Sequence, residues 1–456
     1  MNVYMRAPVV LKADFDWFAG RSSWFCLLWL LVGAWPLATV QASSAQSSQG
    51  FSFHGYARAT MATAESGETA AAFQAPGAGE RFRLGNEPDS LLRLRASYEG
   101  APISTTGSYL KAEAAVEGYE WHGNTRELAL DEVSRFNVTW ANVNGTGMNL
   151  WVGRRWYDLK GSSMNKYRWM NSGKKVHLGM GVEGIAVANG EFKVASFYHR
   201  DKDVPVLEGA TGHRFSGVLT SHTLDMRLKI PREGRHRQDS LNLWALYAHR
   251  PADQELGYPQ RDGHGTGFWI DSPALAGGTN RLGLTYRQGA AITISTSNAN
   301  PTNESHGYDL EHAYQWELTN TYRWDDAQQF AFEWIVVARD NNLGRQGARG
   351  ESVQWYSTGA HPVVYLSDYW SLASEVGIDY VDNETLGVSG TLTKTAIALQ
   401  LQSGKGYVAQ HTLRLFATYA KWSDSLIGWV GGRPKGAPYF DDNHGWNIGL
   451  QIEHIW

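Results

Sequence analysis

His54, Tyr56 and Arg58 occupy alternate positions of a short segment whose other positions, Phe51, Phe53, Gly55 and Ala57, carry no polar group. Side chains on a strand switch faces at every residue, so an imidazole, a phenol and a guanidinium would share one side. Such a face offers a flat aromatic surface beside groups that exchange hydrogen bonds. That is recognition chemistry, with no bond broken. The residue sets that would break bonds are missing or weak. Gly-x-Ser-x-Gly and His-Glu-x-x-His do not occur, and the remaining polar clusters, Glu311-His312 and His444 with Asp441 and Asp442, read as solvated loop charge. No enzyme, metal or cofactor is expected.

The chain opens with Arg6, Lys12 and Arg21 ahead of an apolar run from Trp24 to Ala38, and Val40-Gln41-Ala42 fits a small-residue cleavage site. Residues 1–42 therefore read as a signal peptide and 43–456 as the mature domain. The run falls short of the roughly 20 residues a spanning helix needs. Cys26, the only cysteine, lies inside it. The mature chain would then hold no disulfide, thiol nucleophile or Cys-ligated metal, and some other closure must hold an exported fold together. A formal charge of -4 excludes a bulk basic nucleic-acid binder.

The elements that must present the polar face are strands. His312, Tyr314, Trp316, Leu318, Tyr322 and Trp324 fall on one parity against Gln315, Glu317, Thr319, Thr321 and Arg323. Trp370, Leu372, Val376, Ile378 and Tyr380 alternate with Ser371, Glu375, Gly377 and Asp379 in the same way, and Trp446, Ile448, Leu450, Ile452 and Trp456 with Asn447, Gly449, Gln451 and Glu453. A mean hydropathy of -0.38 looks soluble, yet the same average arises when apolar outward and polar inward positions alternate around a watery bore. The 20 Trp, 21 Tyr and 49 Gly favour the second reading, because interfacial girdles use Trp and Tyr and tight turns use Gly. Leu241 to Tyr247 is apolar on both parities, so its outward face stays open. Ala62 to Gly79, Gly209 to Gly217, Gly257 to Gly278 and Ser295 to Gly307 read as long polar loops. The fold class expected is all-β: one transmembrane antiparallel β-barrel in the bacterial outer membrane.

Five segments in order resemble the maltoporin family of sugar-specific porins: His54-Gly55-Tyr56-Ala57-Arg58; Phe73-Gln74 followed by Arg83-Leu84-Gly85-Asn86-Glu87; Trp151-Val152-Gly153-Arg154-Arg155-Trp156-Tyr157; Arg414 to Trp422; and the terminal strand. The resemblance implies 18 strands, an inward-folded constriction loop, a homotrimer in outer-membrane lipid, and diffusion of sugars. It matches Tyr56 to an aromatic of the family's sugar slide, Arg58 and Arg83 to its ionic track, and Trp121 to a tryptophan lent to a neighbouring subunit's channel. Three stacking surfaces that it leads one to expect are absent: Leu91 and Val408 stand at two of the positions, with Tyr407 beside the second, and Ile455 replaces a penultimate aromatic. The two cysteines of the family's first external loop are replaced by Ala72 and Pro88.

The constriction has changed as well. From Asp158 to Lys175 the chain carries Lys160, Lys166, Arg168, Lys174 and Lys175 against Asp158 alone, and Arg93 stands where the family has a glutamate. A positive ring in a narrow passage attracts anions. Two readings stay open: these cations favour anionic sugars such as uronate oligomers or sugar phosphates, or they point into solvent or pair with carboxylates of the barrel wall. The function expected is an outer-membrane porin for carbohydrates; the alternative is a less selective, anion-preferring porin with a vestigial sugar track.

Overall fold

The computed structural model describes residues 49–103, 105–121, 132–170, 172, 177–207, 216–232, 239–274, 277–292, 309–344, 352–431 and 437–456. The signal segment, Lys174, Lys175 and the 295–307 loop lie outside them. Eighteen strands follow one another: β1 (Gly50–Ala64), β2 (Asp89–Glu99), β3 (Tyr109–Trp121), β4 (Glu132–Ala141), β5 (Asn149–Arg154), β6 (Leu178–Val187), β7 (Gly190–Pro205), β8 (Ser216–Pro231) and β9 (Ser240–Arg250). The second half comprises β10 (Arg261–Pro273), β11 (Thr279–Gly289), β12 (Tyr314–Asp325), β13 (Phe330–Asn342), β14 (Ser352–Tyr365), β15 (Trp370–Asn383), β16 (Val388–Gln402), β17 (His411–Trp422) and β18 (His444–Ile455). Each strand pairs antiparallel with its sequence neighbour, and β1 pairs with β18, so the sheet is a closed barrel without edges.

The seam is held by main chain. Gly55 N–H donates to the Trp456 carbonyl (2.9 Å) and Trp456 N–H to the Gly55 carbonyl (3.2 Å). The Trp456 ring lies over Gly55 so closely that a Cβ there would sit 1.9 Å from Cζ2, which explains a glycine in the middle of β1.

Parity sorts the residues as the alternation requires. Phe51 is 74% exposed on the outer face, whereas the Arg58 side chain is wholly buried inside. In β15 the exposed positions are Trp370, Leu372, Val376, Ile378 and Tyr380, and Ser371, Glu375 and Asp379 are buried. An apolar outer face contacts lipid at no desolvation cost, and Tyr and Trp near the strand ends, such as Tyr356 against Tyr380 (6.2 Å) and the exposed Trp446, form the interfacial belt. In β9, where the sequence leaves the face open, Leu243 and Tyr247 point outward and Trp244 and Leu246 inward.

Three of the long loops are corrected. The 257–278 stretch contains β10, and its Gly263, Gly265 and Gly267 lie on one face of a strand instead of in turns. A Cβ at Gly265 would meet the Trp244 ring at 2.8 Å, so glycine makes room for an inward indole. Ala62 to Ala64 and Gly217 likewise belong to β1 and β8. Short connections gather at one end, for example 188–189 between β6 and β7 and 326–329 between β12 and β13; long ones gather at the other, with a four-residue turn at 384–387 as the exception. In barrels of this class the short end is periplasmic.

Candidate permeation pathway

Two connections from the long-loop end turn into the bore: 65–88, after β1, and the described 155–170 part of the 155–177 connection after β5. They carry large apolar side chains that water would not hold. Phe73, Phe82, Met164, Tyr167, Trp169 and Met170 are all buried against the inner wall. The wall is shaped to receive them. Gly359 and Gly377 are direct partners on β14 and β15, and a Cβ on either would lie within 2.3 Å of the Phe82 ring.

Polar groups of the wall then bind the main chain of these loops. Glu375 accepts from Leu84 N–H (3.0 Å) and from Lys394 Nζ (2.5 Å), and Lys394 also donates to the Leu84 carbonyl (2.6 Å). Glu333 accepts from the backbone N–H of Ser163 and Met164 (both 3.2 Å) and from Ser162 Oγ (2.8 Å). Arg287 donates to the Trp169 carbonyl (2.6 Å) and Arg339 to the Gly77 carbonyl (2.7 Å). Buried charge and loop backbone satisfy each other, which is the condition for burying either. These contacts fasten both loops to the inner wall of β11 to β16.

Beside these fastenings lies an ionic knot. Arg58 donates to Glu87 (2.7 Å) and Asp89 (2.6 Å), Arg83 to Glu87 (2.9 Å) and Glu453 (3.0 Å), and Lys166 to Glu87 (2.6 Å). The Tyr56 hydroxyl donates to Glu453 (2.6 Å), which Arg414 also binds. Burial alone would push the Glu87 carboxyl up, but Arg83, then Lys166 and Arg58, hold it well below the usual carboxylate range. Lys166 moves the other way: burial, reinforced by Arg83, lowers its ammonium to about 8, with Glu87 opposing.

The remaining wall is open and charged. Arg93 on β2 pairs with Glu117 on β3 (2.5 Å), and Arg135 on β4 with Glu113 (3.1 Å). Three guanidiniums surround one indole: Arg135 at 4.2 Å, Arg93 at 4.4 Å and Arg168 at 4.9 Å from the Trp156 ring centroid. Arg168 has no ion pair among the described residues, and burial, then Arg93, lowers its pKa. Arg155 repeats the motif, pairing with Glu183 (3.1 Å) over the Trp151 ring (4.8 Å).

The residues expected from sequence thus separate. Tyr56, Arg58, Arg83 and Lys166 meet in one knot, where Arg58 is spent on carboxylates and has no exposed surface. Arg93 and Arg168 meet at Trp156. Lys160 stands apart, paired with Asp158 (2.5 Å) and 5.6 Å from the Trp269 ring centroid. Trp121 ends β3 opposite Asp89, and its side chain lies outside the described residues. Leu91 is buried, Val408 is exposed, and Tyr407 is tucked under Arg323 (4.9 Å) with its N–H on Asp325 (2.8 Å). His312 pairs with Asp309 (2.6 Å), which Arg261 also binds. Sequence reasoning missed Trp156 as an arginine platform, together with Arg135; the available signal was the shared inward parity of Arg93, Glu117 and Arg135 on adjacent strands.

Comparison with solved structures finds similar folds at low identity. The outer membrane channel DcaP of Acinetobacter baumannii is 10% identical with a TM-score of 0.46, over 89% of this chain and 97% of that one. The anion-selective porin from Comamonas acidovorans is 11% identical with a TM-score of 0.42, over 89% and 99%. A family model, LamB porin, matches residues 51–456, that is, all of the barrel beyond its first strand residue. A closed 18-stranded barrel with a lipid-ready exterior, two loops folded into its bore and this match together make the chain a porin of the bacterial outer membrane that belongs to the LamB porin family.

Proposed function

We propose that this porin passes carbohydrates by facilitated diffusion, favours those bearing a carboxylate or phosphate, and works as a homotrimer with no chemical step. The observation that carries the reading is the Trp156 platform. A guanidinium presents a planar fork matched to carboxylate oxygens, and an indole offers a flat apolar face, so Arg93, Arg135, Arg168 and Trp156 combine the two contacts a sugar acid makes. The neighbouring Glu117 and Glu113 keep the site from holding an anion tightly, as conduction requires. The trimer is taken from the family. Planar-bilayer recordings test the reading: uronate oligomers should interrupt ion current at lower concentration than neutral maltodextrins. Equal block by both would remove the preference for anionic sugars.

A second reading, a less selective anion-preferring porin, is favoured by the loss of stacking surfaces at Leu91 and Val408 and by a Tyr56 hydroxyl already engaged with Glu453. It expects strong anion preference with no block by any sugar.

A further inference from the structure

Between the 155–177 loop and the short-turn end of the barrel, the inner wall of β7 to β10 encloses a cavity of about 160 Å³, well above the roughly 30 Å³ one water occupies in the liquid. Its position follows from register. Lys193 on β7 stands directly opposite Arg227 on β8, and Glu191 opposite Lys229. Both rows lie close to the two-residue turn at 188–189, so the cavity sits on the periplasmic side of the constriction. The root of the inward loop roofs it with Asp158 and Lys160.

Its charges are unequally satisfied. Arg227 is committed to Asp225 (2.8 Å) and Asp158 (3.4 Å), and Lys160 to Asp158. Lys193 has one longer contact, Glu191 at 3.4 Å, and Lys229 has no ion pair among the described residues. Lys193 and Arg227 stand directly across the sheet, and because Arg227 takes Asp225 and shares Asp158 with Lys160, Lys193 and Lys229 are the less satisfied cations of the cavity. A second, independent observation concerns hydrogen bonding. Trp269 lines the cavity, is 2% exposed, and its indole N–H has no partner. A buried donor left unmade is costly, and such sites mark places where a ligand or water completes the pattern. Asn242 gives its amide N–H groups to Ser240, the Trp269 carbonyl and Asp271, which leaves its carbonyl oxygen for a hydroxyl donor.

We propose that this cavity is an exit-side subsite for the oxyanion end of the permeating sugar, with Lys193 and Lys229 binding the carboxylate or phosphate and Trp269 and Asn242 addressing the hydroxyl rim. The proposal rests on the preference for anionic sugars and adds to it a second station, reached after the Trp156 platform. Glu191, Asp158 and Asp271 face the same space and keep the station shallow. A solute then exchanges one cationic partner set for another instead of crossing a bare lumen.

The test uses single channels of known orientation in planar bilayers, with D-galacturonate, glucose 6-phosphate and galactose added from one side at a time. In Lys193→Gln/Lys229→Gln, the rate of galacturonate block from the periplasmic side should fall about tenfold, the scale on which local charge sets association rates, and the rate from the external side should stay within about twofold. Galactose should be unaffected. Trp269→Phe should shorten galacturonate residence while leaving its arrival rate unchanged. The glucose 6-phosphate arm decides between the two oxyanions: a larger loss for one identifies which the station serves. Unchanged galacturonate rates from both sides in the double variant, with block intact in the native channel, would overturn the station alone. Equal loss from both sides would show general lumen electrostatics and overturn it as well. Absence of galacturonate block in the native channel would remove the underlying preference together with the station. Normal single-channel conductance in Lys193→Arg/Lys229→Arg, with galacturonate block retained, separates loss of charge from loss of fold.

Discussion

The two sides of the bore use charge in opposite ways. On the side of β11 to β17, Glu317, Glu333, Glu375, Arg287 and Lys394 are no more than 1% exposed, and their partners include loop main chain and one another. On β2 and β3 and just after β5, Arg93, Arg95, Glu113 and Arg155 keep 23–34% of their side-chain surface, and their partners are cross-strand neighbours and indole faces. Charge removed from water must be fully paired to be tolerated, and once paired it acts as a fastener. Charge left in contact with water is cheap to hold and free to meet a solute. The same residue types on the same inward parity are therefore fasteners where they are buried, and where they keep contact with water they are the groups we propose to meet the solute.

The largest effect should come from breaking a fastener. Lys394→Met leaves Glu375 buried with its main counter-charge gone, and should cost about 3–5 kcal/mol of barrel stability. Urea unfolding followed by tryptophan fluorescence measures it, and single-channel conductance should rise as the 65–88 loop loosens. A comparable loss for an open-wall charge would erase the distinction. Arg93→Gln/Arg168→Gln should change stability by about 1 kcal/mol or less, as exposed pairs do, while markedly reducing the chloride-over-potassium permeability ratio read from reversal potentials in a salt gradient. An unchanged ratio would take selectivity away from the Trp156 platform.

Lys166 lies on the border and sharpens the contrast through pH. With its ammonium lowered to about 8 by burial and Arg83, it is charged below that pH and loses its proton as pH rises through it. Anion preference should accordingly decline between about pH 7 and 9, and Lys166→Gln should flatten the decline. The smallest change is expected for Tyr56→Phe, which removes one hydrogen bond to Glu453, a loss of about 0.5–1.5 kcal/mol, with ion selectivity unaltered; a changed permeability ratio would place Tyr56 among the solute contacts.

Strand parity, and with it the lipid-facing and inward sets, was legible because a two-residue rhythm leaves a trace in each segment alone. The glycine-rich β10 was hidden, since Gly263, Gly265 and Gly267 mimic a turn unless one knows that Trp244 needs their space. The division of inward charges into buried fasteners and water-exposed pairs was hidden for a deeper reason. Glu333 and Glu117 occupy equivalent inward positions, and only the path of the 155–177 loop decides that one meets the backbone of Ser163 and Met164 while the other meets Arg93. Likewise Lys166 and Arg168 are two residues apart in sequence, yet one is tied to Glu87 and the other is free to stack.

The wall grips the inward loops at Leu84, Ser163, Met164, Trp169 and Gly77 by their peptide groups. Peptide groups are common to every amino acid except for proline's missing N–H, so at these five points, unlike the Phe82 seat, the grip does not depend on the side chain the loop carries. Side chains that line the passage can be exchanged by mutation without unseating the insert that bears them. Such a barrel behaves as a socket with a replaceable liner, and permeant preference can drift in evolution while the frame stays as it is.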